Sequence, residues 1–309
     1  MKLASSTRIY IAGCGGMLGE AVYRLFSGRC AVRATDIDTN EPWLERADVR
    51  DHSTMRAEVE RYRPDAILNL AALTDLEICE RDPANAWATN AYGAEFLGHM
   101  ARDLDVPYVV ISTAGIFDGL KDFYVDEDPP APISVYGQSK HYAEAAVLGT
   151  VPKHLVLRAG WMMGGGLRKD KKFVNKIYKQ IAAGATELRV VDDKLGTPTY
   201  THDFARGIVA LLESDTYGLY NQVGGGDGSR YDVAVEFVRL LGLEGRVRVV
   251  RVGSEEFARE YFAPRPRSEC LVNRKLNELG RNVMRDWRVC LSEYAQEFRQ
   301  DLRARGLTS

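Results

Sequence analysis

The chain has 309 residues, 45% of them hydrophobic, with 41 Lys+Arg against 43 Asp+Glu for a formal charge of -2. That is enough apolar side chain for a full core in one large or two smaller domains, with no net basic field to gather nucleic acid or anionic lipid. Five scattered cysteines never form C-x-x-C, the opening MKLASSTRIYIAG lacks a long apolar run, and no later stretch approaches a membrane span of ~20 apolar residues, so a soluble cytoplasmic protein with reduced thiols is expected.

RIYIAG (8–13) reads as a short buried strand, and GMLGEAVYRLFSG (16–28) follows with apolar residues at helical spacing. CAVRATD (30–36) is the next strand, TMRAEVERYRP (54–64) the next helix, and DAILNLAA (65–72) another buried strand. Helix 83–105, strand 107–113, helix 136–149 and strand 154–160 continue the pattern. Such alternation predicts an α/β fold, a doubly wound parallel sheet covered on both faces. Past residue 160 the order loosens: 161–172 reads as a loop, 173–184 as a helix outside the sheet, and 202–214 with 219–225 as a return to it. Helix 230–243 and a basic tail complete a smaller part. The expected division is 1–160 plus about 192–224 for the sheet domain, and about 161–191 plus 225–309 for a smaller α/β domain.

GCGGMLG sets Gly13, Gly16 and Gly19 three apart where a strand turns into a helix. Glycines there permit a tight turn and close backbone approach, and a helix N-terminus can receive a pyrophosphate. Asp36, ending the second strand, stands where an acid would accept hydrogen bonds from ribose hydroxyls and repel a 2′-phosphate, which favours NAD(H) over NADP(H). Arg33 and Arg50 lie near enough in sequence to swing toward such a phosphate. In SVYGQSKHYAE, Tyr136 and Lys140 are four apart and share a helix face. An ammonium there is expected to lower the tyrosine pKa and make the phenol a usable proton donor or acceptor. Ser112 and Thr113 end a strand shortly before, at the edge where such sheets bind ligands.

Together these segments resemble the extended short-chain dehydrogenases/reductases, and most closely the dTDP-4-dehydrorhamnose reductase group. The resemblance spans nearly the whole length, including PDAILNLAALTDLEICERDPANAWATNAYG, ISTAGIFDG, LRAGWMMG, GTPTYTHDFA and RPRSECLVNRKLNELG, since an R-P-x-x-S-x-L segment is typical of that group. It implies a Rossmann fold, and a catalytic set of Thr113, Tyr136 and Lys140. Tyr136 would protonate a sugar C4 carbonyl oxygen as hydride arrives from nicotinamide, Lys140 would hold the nicotinamide ribose, and Thr113 would orient the carbonyl. Gly13, Gly16, Met17, Leu18, Gly19 and Asp36 would hold the dinucleotide, Leu70, Ala71 and Ala72 would line it, and Asp48 and Val49 would face adenine. Asn90 would support the site from inside the sheet. Thr74, Glu77, Trp161, Arg265 and Arg267 would meet a nucleotide-diphosphate sugar, the indole by stacking and an arginine by pairing with the diphosphate.

Where the group carries S-T-D-Y-V-F-D-G this chain has Ala114 and Gly115 after Thr113, and Glu77 stands in place of an aspartate. The missing acids argue against a sugar-nucleotide dehydratase. A 4-ketoreductase is the first reading; a 4-epimerase, whose hydroxyl strand commonly reads S-S/T-A, is the second, and a non-catalytic dinucleotide-binding subunit the third. The five histidines show no metal-ligand spacing and no serine sits in G-x-S-x-G, so neither a catalytic metal nor a hydrolase triad is expected. RKDKK (168–172) reads most simply as a solvated loop. A homodimer is an expectation by superfamily analogy.

Overall fold

The computed structural model describes residues 1–307. In chain order the strands are β1 Arg8–Ala12, β2 Ala31–Asp36, β3 Leu44–Arg46, β4 Ala66–Asn69, β5 Tyr108–Thr113, β6 His154–Ala159, β7 Trp161–Met163, β8 Glu187–Val191, β9 Leu195–Gly196, β10 Pro198–Tyr200, β11 Gly218–Asn221, β12 Gly228–Ser229, β13 Arg248–Val252 and β14 Ser268–Glu269. Seven of them form one parallel sheet ordered β11-β6-β5-β4-β1-β2-β3. The order reverses between β1 and β4, which leaves a crevice at their carboxyl ends, the switch point of a Rossmann sheet.

Period-two alternation explains why both faces must be covered. Ile9, Ile11, Leu68, Val109, Leu155 and Leu157 join a core with helices Met17–Ser27 and Thr201–Ser214. Tyr10, Ala12, Ile67, Val110 and Val156 join the opposite core, with helices His52–Tyr62, Gly93–Asp103 and Val135–Thr150. A third core gathers helices Phe173–Ala182, Arg230–Leu241 and Trp287–Ala304 against the parallel pair β8 and β13. That last helix lies in what the sequence presented only as a basic tail; its apolar side includes Trp287, Leu291, Phe298 and Leu302.

Residues 201–221 return to the sheet through helix Thr201–Ser214 and β11, whereas 195–200 pair with the short strands β7, β12 and β14. The stretch expected to be a loop at 161–172 contains β7 and a single helical turn, Gly166–Lys169. RKDKK is not a solvated loop: Lys169 and Asp170 are buried, Lys169 pairs with Glu41 at 3.0 Å, and Asp170 accepts from Tyr294 at 2.9 Å. Expected helix 83–105 is interrupted by a π-helical turn, Ala88–Tyr92, and Asn90 sits there and not in the sheet.

Candidate active site

The glycine turn is built by three different constraints. Gly13 has φ 73°, and a Cβ there would stand 2.2 Å from the Ala71 amide. Gly19 lets the first helix press onto the turn, since a Cβ would lie 2.2 Å from the Cys14 carbonyl oxygen. At Gly16 a Cβ would meet nothing within 4 Å, and helix Met17–Ser27 begins there with no side-chain cap. The helix thus starts without a side-chain cap beside open space at Gly16, with the positive end of its dipole there, which fits the diphosphate of a dinucleotide.

Asp36 closes one side of this turn. Its carboxylate accepts from the Gly15 amide at 2.8 Å and from the Asp38 amide at 3.0 Å. Gly15, which the spacing argument passed over, is thus the residue that ties turn to acid. Arg33 is engaged by Glu45 and Glu58, each at 2.6 Å, and Arg50 holds Asp48 through Nε at 2.9 Å. Val49 is buried against Gly93, and Leu70 hydrogen-bonds through its amide to the Ala12 carbonyl at 2.8 Å. Ala71 donates to Asn69 at 3.1 Å, so the β4 loop is fixed beside the glycines.

Tyr136 is placed by packing as much as by helix phase. Ser134 caps the helix by accepting from Gly137 at 3.1 Å, and Val135 donates to Glu80 at 2.8 Å. A Cβ at Gly137 would lie 2.3 Å from the Gly115 carbonyl oxygen, so only glycine lets the helix start rest on the turn that follows β5. This contact brings Tyr136 to Thr113. Asn90 holds the other side: it accepts from Leu73 at 2.8 Å and donates to the Leu73 carbonyl at 3.0 Å and to Ser139 at 3.1 Å, joining the β4 loop to the same helix.

The electrostatics differ from the sequence expectation. Burial pushes the Tyr136 phenol up to about 12, and the group that pulls it down is the Thr113 hydroxyl, not Lys140. Burial also pushes the Lys140 ammonium down to about 8, opposed by Glu144 one turn later. Desolvation is the largest influence on the phenol. Behind Lys140, Glu144 grips Arg158 through two hydrogen bonds of 2.9 Å, and both side chains are buried.

A cluster of paired charges joins the segment after β4 to residues 172–176 and 261–265. Glu77 pairs with Arg265 at 2.8 Å, and Thr74 accepts from Lys172 at 2.9 Å. Lys176 and Arg265 both lie over the Tyr261 ring, at 5.2 and 5.3 Å. Arg267 is drawn away to Asp122, so the structure separates the two arginines that sequence alone left equivalent. The Trp161 ring lies against Gly196 and under the Arg230 guanidinium, 3.7 Å from its centroid, and its Nε1 donates to Glu269 at 2.8 Å. Its stacking surface is thus already used within the protein. Burial pushes Arg230 down to about 10. Sequence reasoning missed Arg230 and Glu269 and met Lys172 only as part of RKDKK; Glu269 left a trace, since it occupies the position that R-P-x-x-S-x-L gives to serine.

Comparison with known proteins shows the family and the fold. The family model described as the RmlD substrate binding domain matches residues 7–300. The dTDP-4-dehydrorhamnose reductase of Mycobacterium tuberculosis is 32% identical over 297 residues, covering 93% of this chain and 92% of the relative. The dTDP-4-keto-6-deoxy-D-glucose reductase of Streptomyces niveus is also 32% identical, covering 93% and 96%. Among solved structures, a dTDP-4-dehydrorhamnose reductase from Clostridium acetobutylicum superposes with TM-score 0.85 at 31% identity, covering 94% of this chain and 99% of that one. The Bacillus anthracis reductase in complex with NADP gives TM-score 0.85 at 27% identity, covering 96% and 100%. With the family model spanning nearly the whole chain and the whole fold in common, the chain belongs to the RmlD substrate binding domain family, within the extended short-chain dehydrogenases/reductases.

Proposed function

We propose that the protein reduces the 4-keto group of a dTDP-linked deoxysugar with a reduced nicotinamide cofactor. The observation that carries this reading is the hydrogen bond between Thr113 and Tyr136, on a helix that bears Lys140 one turn later, in a chain that covers nearly all of relatives named as reductases of such sugars. The open cap at Gly16, with the uncapped N-terminus of helix Met17–Ser27, suits the dinucleotide's phosphates, and the buried ammonium of Lys140 suits its ribose. When bound, the cofactor supplies hydride to the carbonyl carbon. Tyr136 and Thr113 hold the carbonyl oxygen from one side and draw charge toward it. A phenol pushed up to about 12 is protonated at neutral pH, the state needed to give a proton to the forming alkoxide.

The Glu77–Arg265 and Thr74–Lys172 pairs are the groups in this reading that meet the nucleotide diphosphate, exchanging carboxylate and hydroxyl partners for phosphate oxygens. NADH is the preferred donor: Asp36 directs its carboxylate to the turn, and Arg33 and Arg50 are committed to acidic partners. Consumption of NADH and NADPH, run in parallel with a panel of dTDP-linked 4-keto-6-deoxy sugars, tests both statements. Tyr136→Phe should lower turnover roughly 100-fold or more while NADH affinity stays within a few-fold. Turnover surviving that change would remove the mechanism; faster turnover with NADPH would remove the cofactor preference.

A further inference from the structure

Two departures from the family's pattern meet in space. Gly115 stands where the S-T-D-Y-V-F-D-G segment has tyrosine, and Glu269 where R-P-x-x-S-x-L has serine. A Cβ at Gly115 would lie 3.4 Å from Glu269 Oε1 and 3.5 Å from Thr113 Oγ1, so the carboxylate and the catalytic hydroxyl border the same space. The Tyr136 phenol, raised chiefly by burial, also feels the Glu269 charge in the same direction. Loss of a side chain at 115 opens room that a carboxylate from the far end of the chain now reaches.

That carboxylate is held rigidly. Glu269 lies on β14, paired in register with Gly196 of β9, and Ser268 before it donates to the Asp122 carbonyl at 2.7 Å. Its Oε2 accepts from Trp161 Nε1 at 2.8 Å, and the indole is itself fixed under Arg230. Oε1 faces the Gly115 side, toward Thr113. A carboxylate offers only acceptors. Once a ligand fills this space, Oε1 loses water and needs a donor in return.

We propose that Glu269 is a specificity-determining residue that accepts a hydrogen bond from the sugar hydroxyl on the carbon next to the carbonyl being reduced. The inference rests on the 4-ketoreductase reading above. With the carbonyl oxygen held by Tyr136 and Thr113, the two neighbouring ring carbons of a 4-keto-6-deoxy sugar differ: C3 bears a hydroxyl, C5 a methyl group. Only the hydroxyl can donate. The site therefore selects sugars that retain the C3 hydroxyl over those deoxygenated there.

The test compares dTDP-4-keto-6-deoxyglucose with its 3-deoxy counterpart for the wild type, Glu269→Gln and Glu269→Ser, following NADH and NADPH consumption. Calorimetric binding of dTDP-6-deoxyglucose and of the 3-deoxy analogue runs beside it. The wild type should favour the 3-hydroxy substrate in kcat/KM by about ten-fold or more, the scale of a hydrogen bond to a charged group. Either variant should bring that preference to within about three-fold, with the 3-deoxy substrate little affected. Turnover with no preference in the wild type, or a preference that both folded variants keep, overturns the role of Glu269 and leaves the reductase intact. No turnover, together with a binding preference that Glu269→Gln abolishes, overturns the reductase and leaves Glu269 as the reader of that hydroxyl. Absence of both overturns both.

Discussion

Lys140→Met should make the protein more stable and less active. The ammonium is 3% exposed. Burial brings it from 10.5 to about 8, which at about 1.4 kcal/mol per pH unit is a cost of roughly 3 kcal/mol. The sign follows from proton counting. Below pH 8 the lysine is charged in both folded and unfolded chains, so the whole cost is present. Between 8 and 10.5 the folded chain has lost the proton and the unfolded chain keeps it, so the cost shrinks as pH rises. Above 10.5 both are neutral and the cost is gone. Methionine has similar length and no charge, so urea unfolding of the two proteins should differ by roughly 3 kcal/mol at pH 7 in favour of the variant, with the gap closing toward pH 10.5. Turnover and NADH affinity should fall in the same variant. A variant less stable at pH 7, or a gap that does not change with pH, would refute the claim that the site holds a strained charge in reserve for its ligand.

Two further predictions concern what stands behind the site. Glu144→Gln leaves the Arg158 guanidinium, 3% exposed, without its bidentate partner, and should cost about 3–5 kcal/mol in denaturant unfolding. Adding Arg158→Met should recover most of that loss, and additive losses in the double-mutant cycle would show that the pair is not coupled. Gly13→Ala combines a φ of 73° with a Cβ 2.2 Å from the Ala71 amide, and should weaken NADH binding about ten-fold or more by fluorescence titration, as the turn and the β4 loop are forced apart. Gly184→Ala, with φ 94° but nothing within 4 Å, carries the backbone strain without the clash and should leave NADH binding unchanged; equal effects of the two would mean that backbone strain alone, not the close approach, sets the turn.

The sheet domain was legible in the sequence because its signals are local. Buried runs such as RIYIAG and DAILNLAA, helices of regular period, and glycines spaced for a strand-to-helix turn each state their structure within a dozen residues. The i,i+4 pairing of Tyr136 and Lys140 is of the same kind, since one helix turn puts both on a face. What escaped was everything that depends on residues distant in the chain. Strands of two or three residues such as β9, β12 and β14 carry no period, and pair only because their partners fold back upon them. Sequence spacing suggested that Lys140 lowers Tyr136; burial by the surrounding elements raises it instead.

The separation of Arg265 from Arg267 was likewise decided by Glu77 and Asp122, which no spacing links to them. Most telling is the acid beside Thr113. Ala114 and Gly115 say that this position lacks a carboxylate, and locally that is true. The folded chain brings Glu269 to it through β14 and the Trp161 hydrogen bond. Local chemistry thus follows from local sequence, because a turn or a helix face is set by neighbours a few bonds away. Which charge borders the space beside Gly115 depends on packing of the whole chain, and only the tertiary structure decides it.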